Sequence, residues 1–180
     1  MISFEPFTMQ VLAPIHLLVY SSLLGTSLYQ TFAMTKISYQ ALPKTAFRSL
    51  QKKVFPFYFR VQTFLIFGSL VTLPSSTWSP IAAFSHTINW IPHAVAGVTA
   101  VLNLLVYEPR TRTFMIEVAH QETRDASRTP NSKEPSGEMQ QFRRHFSRAH
   151  AMSIHLNLIT IGSILFYGWT LGNRISFGAM

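Results

Sequence analysis

Four long apolar runs, roughly 11–34, 55–73, 81–107 and 151–171, hold almost no charge, and the charged residues collect between them. An α-helix rises about 1.5 Å per residue and the hydrocarbon core of a bilayer is about 30 Å thick, so runs of this length can cross it. Inside lipid the backbone polar groups must be satisfied within the segment, which makes the runs helices rather than strands. The expected fold is therefore all-α: one integral membrane four-helix bundle over 1–180. Residues 108–150 should form a polar helical hairpin with a flexible tip at 128–137, RTPNSKEPSG, whose composition is that of a turn. The N-terminal stretch MISFEPFTMQ carries Glu5 and neither Lys nor Arg, so the first run is read as a retained anchor rather than a targeting segment.

Composition excludes several classes of function. Charged residues make up 12% of the 180, about half the share of a soluble protein. The net charge of +8 does not form a phosphate-binding stripe, and no nucleic-acid partner is expected. Lys36, Lys44, Arg48, Lys52 and Lys53 lie between runs one and two. A second basic group, from Arg110 and Arg112 to Arg143, Arg144 and Arg148, lies between runs three and four. Both groups fall on one side of a four-span path, which the positive-inside rule assigns to the cytosol, with both termini opposite. In the first loop, Phe47, Leu50 and Val54 recur at helical steps among Arg48, Lys52 and Lys53. That pattern predicts a short amphipathic helix at the headgroup level, where the three cations contact anionic phospholipid or simply set the topology.

Chemistry-bearing patterns are sparse. With no cysteine there is no disulfide, thiolate site or Cys nucleophile. His86 and His93, and His150 and His155, are spaced wrongly for a helical zinc pair and have no carboxylate beside them, so no metal is expected. There is no Gly-x-Ser-x-Gly, no Gly-rich phosphate loop and no carboxylate pair in the apolar runs; no catalytic residue and no cofactor are assigned. Polar and small residues do form stripes. Asn89, His93, Ala96, Ala100, Asn103 and Tyr107 share one face of run three; His150, Ser153 and Asn157 share one face of run four. Amides and imidazoles in hydrocarbon need partners, so the two faces should meet, either as interhelical hydrogen bonding or around a polar cavity. Glu108, at the end of run three, and Arg60, at the same depth on run two, are expected to form an interfacial ion pair.

Three strings together resemble the transmembrane protein 205-like family. They are Leu42-Pro43 with Phe47, Gln51 and Phe55-Pro56-Phe57-Tyr58-Phe59; Asn103 with Glu108-Pro109-Arg110-Thr111, Met115 and Glu117; and Arg148-x-His150-x-x-Ser153-x-x-x-Asn157-Leu158. Ala151 stands where the family often has Gly, and the tip matches nothing in it. The resemblance implies a four-helix membrane protein without established catalysis. It also implies an association with phosphatidylserine and phosphatidylethanolamine balance at the mitochondrial outer membrane (fungal relatives), or with secretory membranes and drug resistance (animal relatives). The leading expectation is a non-enzymatic organelle-membrane protein that acts on phospholipid through a polar cavity lined by Asn103, Glu108, Arg110, Thr111, His150, Ser153 and Asn157. A small-molecule transporter and an adaptor recruiting a partner through the 122–138 hairpin are the alternatives; the bilayer itself is the one partner the sequence names.

Overall fold

A computed structural model describes residues 5–73, 87–128 and 135–173, with side chains from 11–73, 90–128 and 135–173. Among them the chain is helical throughout, and four helices are long and apolar enough to cross a membrane. The first rod is α1 (Glu5–Leu28), a π-helical turn (Tyr29–Met34) and α2 (Thr35–Ala41), continuous end to end. The second is α3 (Lys44–Val71). The third is α4 (Thr87–Leu102), a second π-helical turn (Asn103–Tyr107) and α5 (Glu108–Arg128). The fourth is α6 (Gly137–Gly172). The protein is a multi-pass membrane bundle.

The bundle has apolar residues outside and polar residues within. Phe57, Phe64, Phe67 and Trp169 are exposed, while His16, Gln62, Ser69, Asn103 and Thr160 are almost wholly enclosed. No hydrophobic effect operates between helices in lipid, so hydrogen bonds and close packing must join them. Small residues permit the packing: Ala96 and Ala100 of α4 are buried with Leu23 and Tyr20 of α1, Ile66 of α3, and Ile164 and Tyr167 of α6. Gly168 admits the Tyr20 ring, whose hydroxyl donates to the Ile164 carbonyl at 3.3 Å; a Cβ there would lie only 2.8 Å from Tyr20 Cζ.

The rods follow from local chemistry. Leu42 is extended (φ −111°, ψ 144°), as the residue before a proline prefers, and Pro43 then starts α3. Ser136 caps α6 by accepting from the Met139 amide at 3.2 Å. Its hydroxyl also donates to Asp125 at 2.9 Å, while Gln121 donates to Asp125 at 2.8 Å. The end of α5 is thereby fastened to the start of α6.

Some boundaries differ from the sequence reading. The amphipathic segment around Arg48–Val54 is not a separate surface helix: it is the first part of α3, which runs on into the membrane without a break. The second arm of the expected hairpin and the fourth span form one unbroken helix from Gly137, as the sequence reading has it. Pro92 does not interrupt α4; the departure from α-helix comes at Asn103–Tyr107, just before Pro109, whose missing N–H and bulky ring leave the preceding turn short of one hydrogen bond. The short connection at 74–80, the start of run three at 81–86 and most of the expected tip (129–134) lie outside the described residues.

Candidate functional site

Polar side chains inside the bundle fall into three groups. At the end away from the basic loops, His16 Nδ1 lies 3.0 Å from Thr72 Oγ1 and its Nε2 lies 2.6 Å from the Tyr167 hydroxyl. The Tyr167 ring meets His93 edge-on at 4.3 Å, and His93 Nε2 lies 2.9 Å from Ser69 Oγ. In the middle, Gln62 donates to Ser27 (3.2 Å), Tyr58 (2.8 Å) and Asn157 (3.1 Å). Tyr58 donates to Asn157 Oδ1 at 2.9 Å, and Asn157 donates to Thr31 at 2.8 Å. Beside it, Asn103 donates to the Ser153 carbonyl at 2.9 Å, and Thr99 and Thr160 share a 2.7 Å hydrogen bond. Of the two stripes expected to meet, Asn103 reaches the Ser153 backbone carbonyl, while Asn157 bonds to the first and second rods and His93 to Ser69. These two groups have the character of interhelical joints.

The third group is different because it surrounds space. Toward the basic end, a cavity of about 210 Å³ opens between the rods. Its polar lining residues include Gln51, Lys52, Glu108, Thr111, Arg112 and His150. Phe55, Tyr58, Phe59, Met115 and Ile154 also line it, as do Ser153 and Asn157 of the joints. Both π-helical turns border it: Thr31 belongs to the first, and Glu108 follows the second directly. A π-helical turn rotates the side chains that follow it relative to those before, which is why such turns recur at sites. Here they turn Thr31, Thr35 and Glu108 into the cavity.

Satisfaction of the wall is incomplete. Neither the amide nitrogen nor the amide oxygen of Gln51 has a hydrogen-bond partner in the protein, although the residue is only 3% exposed. The Thr111 hydroxyl is likewise buried without a partner. A buried polar group left unpaired costs about 1–3 kcal/mol, and Gln51, unpaired at both amide atoms, and Thr111 both belong to the cavity lining. In the joint below, the Gln62 amide nitrogen donates to three acceptors, while its Oε1, like Asn103 Oδ1, is buried without a partner.

The expected site residues are thus distributed unevenly. Glu108, Thr111, His150, Ser153 and Asn157 line the cavity; Asn103 lies behind it in the joint, and Arg110 is exposed outside it. Lys52 lines the cavity and Lys53 is exposed. Arg48, read as contacting headgroups or setting the topology, gives both guanidinium nitrogens to Glu122. Lys44 Nζ (3.1 Å) and Arg143 (3.9 Å) complete a three-cation clamp on that carboxylate, joining α3, α5 and α6. The Arg60–Glu108 ion pair is a correction. The two line one surface groove, yet their charged groups make no contact pair; the Glu108 carboxylate is turned into the buried side of α5 and feels Arg112 and Arg60 only at longer range. No cluster of three or more metal-ligating side chains is found among the described residues.

Sequence reasoning passed over Gln51 except as part of a family string, and passed over the His16–Tyr167–His93 group. Gln51 carried one usable signal: an amide three residues after Arg48 and one before Lys52 sits on the buried face of an otherwise basic helix start.

A family model described as "Domain of unknown function (DUF4149)" matches residues 18–120. Among curated proteins, the chain is 40% identical over 171 residues to "Xanthocillin biosynthesis cluster protein D" of Aspergillus fumigatus, an alignment covering 95% of this chain and 96% of the relative. No solved structure matches.

Proposed function

The chain belongs to the family of the domain of unknown function DUF4149, and from that premise we propose that it is a non-enzymatic organelle-membrane protein that influences phospholipid balance by taking a polar headgroup into its interfacial cavity. One observation carries the proposal: the unpaired amide of Gln51, buried in the lining of a cavity that holds both polar and aromatic side chains. A phospholipid brings polar and apolar groups together at the same level of the bilayer. At roughly 30 Å³ per water, about 210 Å³ holds a headgroup-sized fragment and not a whole lipid. Tails would remain in the bilayer.

The resemblance to the transmembrane protein 205-like family supports phosphatidylserine and phosphatidylethanolamine as the lipids affected, and the mitochondrial outer membrane as the place. The test is Gln51→Leu in the native cell. Removing an unsatisfied buried amide should keep or raise thermal stability, while the ratio of the two lipids shifts at normal protein level. Unchanged lipids at normal abundance would overturn the proposal.

A second reading has the relative behind it. That protein's name places it in a biosynthesis cluster for a small molecule, and this cavity could instead serve a small organic compound on its way across the membrane. Uptake of such a compound into proteoliposomes, abolished by Gln51→Leu with lipid ratios untouched, would favour that reading.

A further inference from the structure

Outside the cavity, between α3 and the α4–α5 rod, a groove of about 520 Å³ opens on the surface of the bundle. Pro56, Leu104, Leu105 and Pro109 give it apolar walls, and Arg60 and Arg112 stand over it from neighbouring rods. Neither guanidinium forms an ion pair among the described residues, where the contacts are confined to Glu122 with Lys44, Arg48 and Arg143. Glu108, in the wall shared with the cavity, is the carboxylate nearest to hand, and it is largely buried. Two guanidiniums against one carboxylate leave the groove net positive.

Depth is set by the sequence. Arg60 is the last charged residue of α3, and on the third rod no described residue before Glu108 is charged, so both arginines stand where the uncharged stretches begin. From Arg60 an exposed stripe continues down α3 at steps of four, three and four through Phe64, Phe67 and Val71. From Leu105 a second runs along α4 through Leu102 and Val98. Each guanidinium thus heads an apolar track on the bundle surface. Arginine presents a planar fork of donors that matches a phosphate and is weakly hydrated, which suits it to this level of a bilayer.

We propose that this groove is a docking site for an anionic glycerophospholipid, its phosphate held between Arg60 and Arg112 and its acyl chains lying along the two tracks. A zwitterionic lipid brings no net charge to a site with one positive charge in excess, and a free phosphate has no use for the tracks. Arg112 and Glu108 also line the cavity, but the groove needs neither Gln51 nor an enclosed headgroup, so Gln51→Leu separates the two readings.

The experiment is native mass spectrometry of the full chain released from nanodiscs containing phosphatidylglycerol and phosphatidylcholine in equal amounts. The expected result is preferential retention of one phosphatidylglycerol. Arg60→Gln and Arg112→Gln should each lower that preference about fivefold, the equivalent of about 1 kcal/mol per interfacial cation. Lys53→Gln, on the same basic end but off the groove, should leave it unchanged, as should Gln51→Leu. Arg112 is exposed, so its variant keeps the test open even where Arg60→Gln folds poorly. Equal retention by the Arg112→Gln variant, an equal loss in Lys53→Gln, or displacement of the lipid by inorganic phosphate would each overturn the proposal.

Discussion

At the scale of the residue, the interior is decided by which side chains find partners and which find room. Gly168 illustrates room. The Tyr20 ring lies where a Cβ on residue 168 would be, and its hydroxyl is already committed to the Ile164 carbonyl on the same helix. Gly168→Ala should therefore push the ring out of the α1–α6 contact and cost about 1–3 kcal/mol, the usual range for overpacking. Gly162 lies on the same helix with nothing within 4 Å of the added methyl. Gly162→Ala should be neutral or gain up to about 1 kcal/mol from helix propensity. Thermal unfolding of the two variants in detergent checks the contrast; equal midpoints would mean the Tyr20 contact is soft. Asn103, Ser153 and Asn157 were legible as inward-facing because helical spacing alone puts them on one side of their helices. Gln62 and Tyr167 were not. Each is a single amphipathic side chain in an apolar run, and whether it faces lipid or a neighbour depends on helix rotation that one sequence does not encode.

At the scale of the element, the basic end is held by Glu122 rather than by Arg60 and Glu108. Sequence showed the two basic loops, yet the partner of Arg48 lies 74 residues away on α5, and that pairing depends on the register of α3 against the α5–α6 hairpin. Glu122 stands on the polar extension beyond the spanning segment. The hydrogen bonds from Arg48, then that from Lys44, hold its carboxyl down from the ordinary 4.5 to about 2. A carboxylate whose folded-state pKa is depressed contributes stability above its unfolded value and loses it as pH falls through the folded one. The α3–α5–α6 junction should therefore hold at pH 5 and above and loosen progressively between about 4.5 and about 2. Glu122→Gln should remove most of that dependence and give, at neutral pH, a junction about as loose as the acidified wild type. Proteolysis at the basic end, followed against pH for both proteins, is the measurement. A wild-type profile flat from pH 5 to 2 would show that the clamp does not hold the hairpin.

At the scale of the whole molecule, the four spans were the most legible property, because the need to bury twenty-odd apolar residues in hydrocarbon leaves little freedom. The helical hairpin over 108–150 was legible as well, but that both π-helical turns border one cavity was not, since a π-helical turn has no composition of its own. The continuous rods make orientation a property of the entire bundle. The α2–α3 connection and the α5–α6 junction stand at one end, and the last residues of α3 and α6 stand beside His16 at the other. Because the chain has no cysteine, a single introduced thiol reports its own side without background. Thr123→Cys lies on the exposed face of α5 at the basic end, and Asn173→Cys lies at the exposed end of α6. If the basic end faces the cytosol, as the positive-inside rule requires, a membrane-impermeant maleimide should label the first in intact organelles and the second only after permeabilisation. The reverse pattern would invert the bundle, placing the cavity and the Arg60–Arg112 groove at the opposite leaflet. The lipid they meet would then be that leaflet's lipid. Labelling of both thiols in intact organelles would put them on one side and rule out the single crossing by α6 that the four-span bundle requires between them.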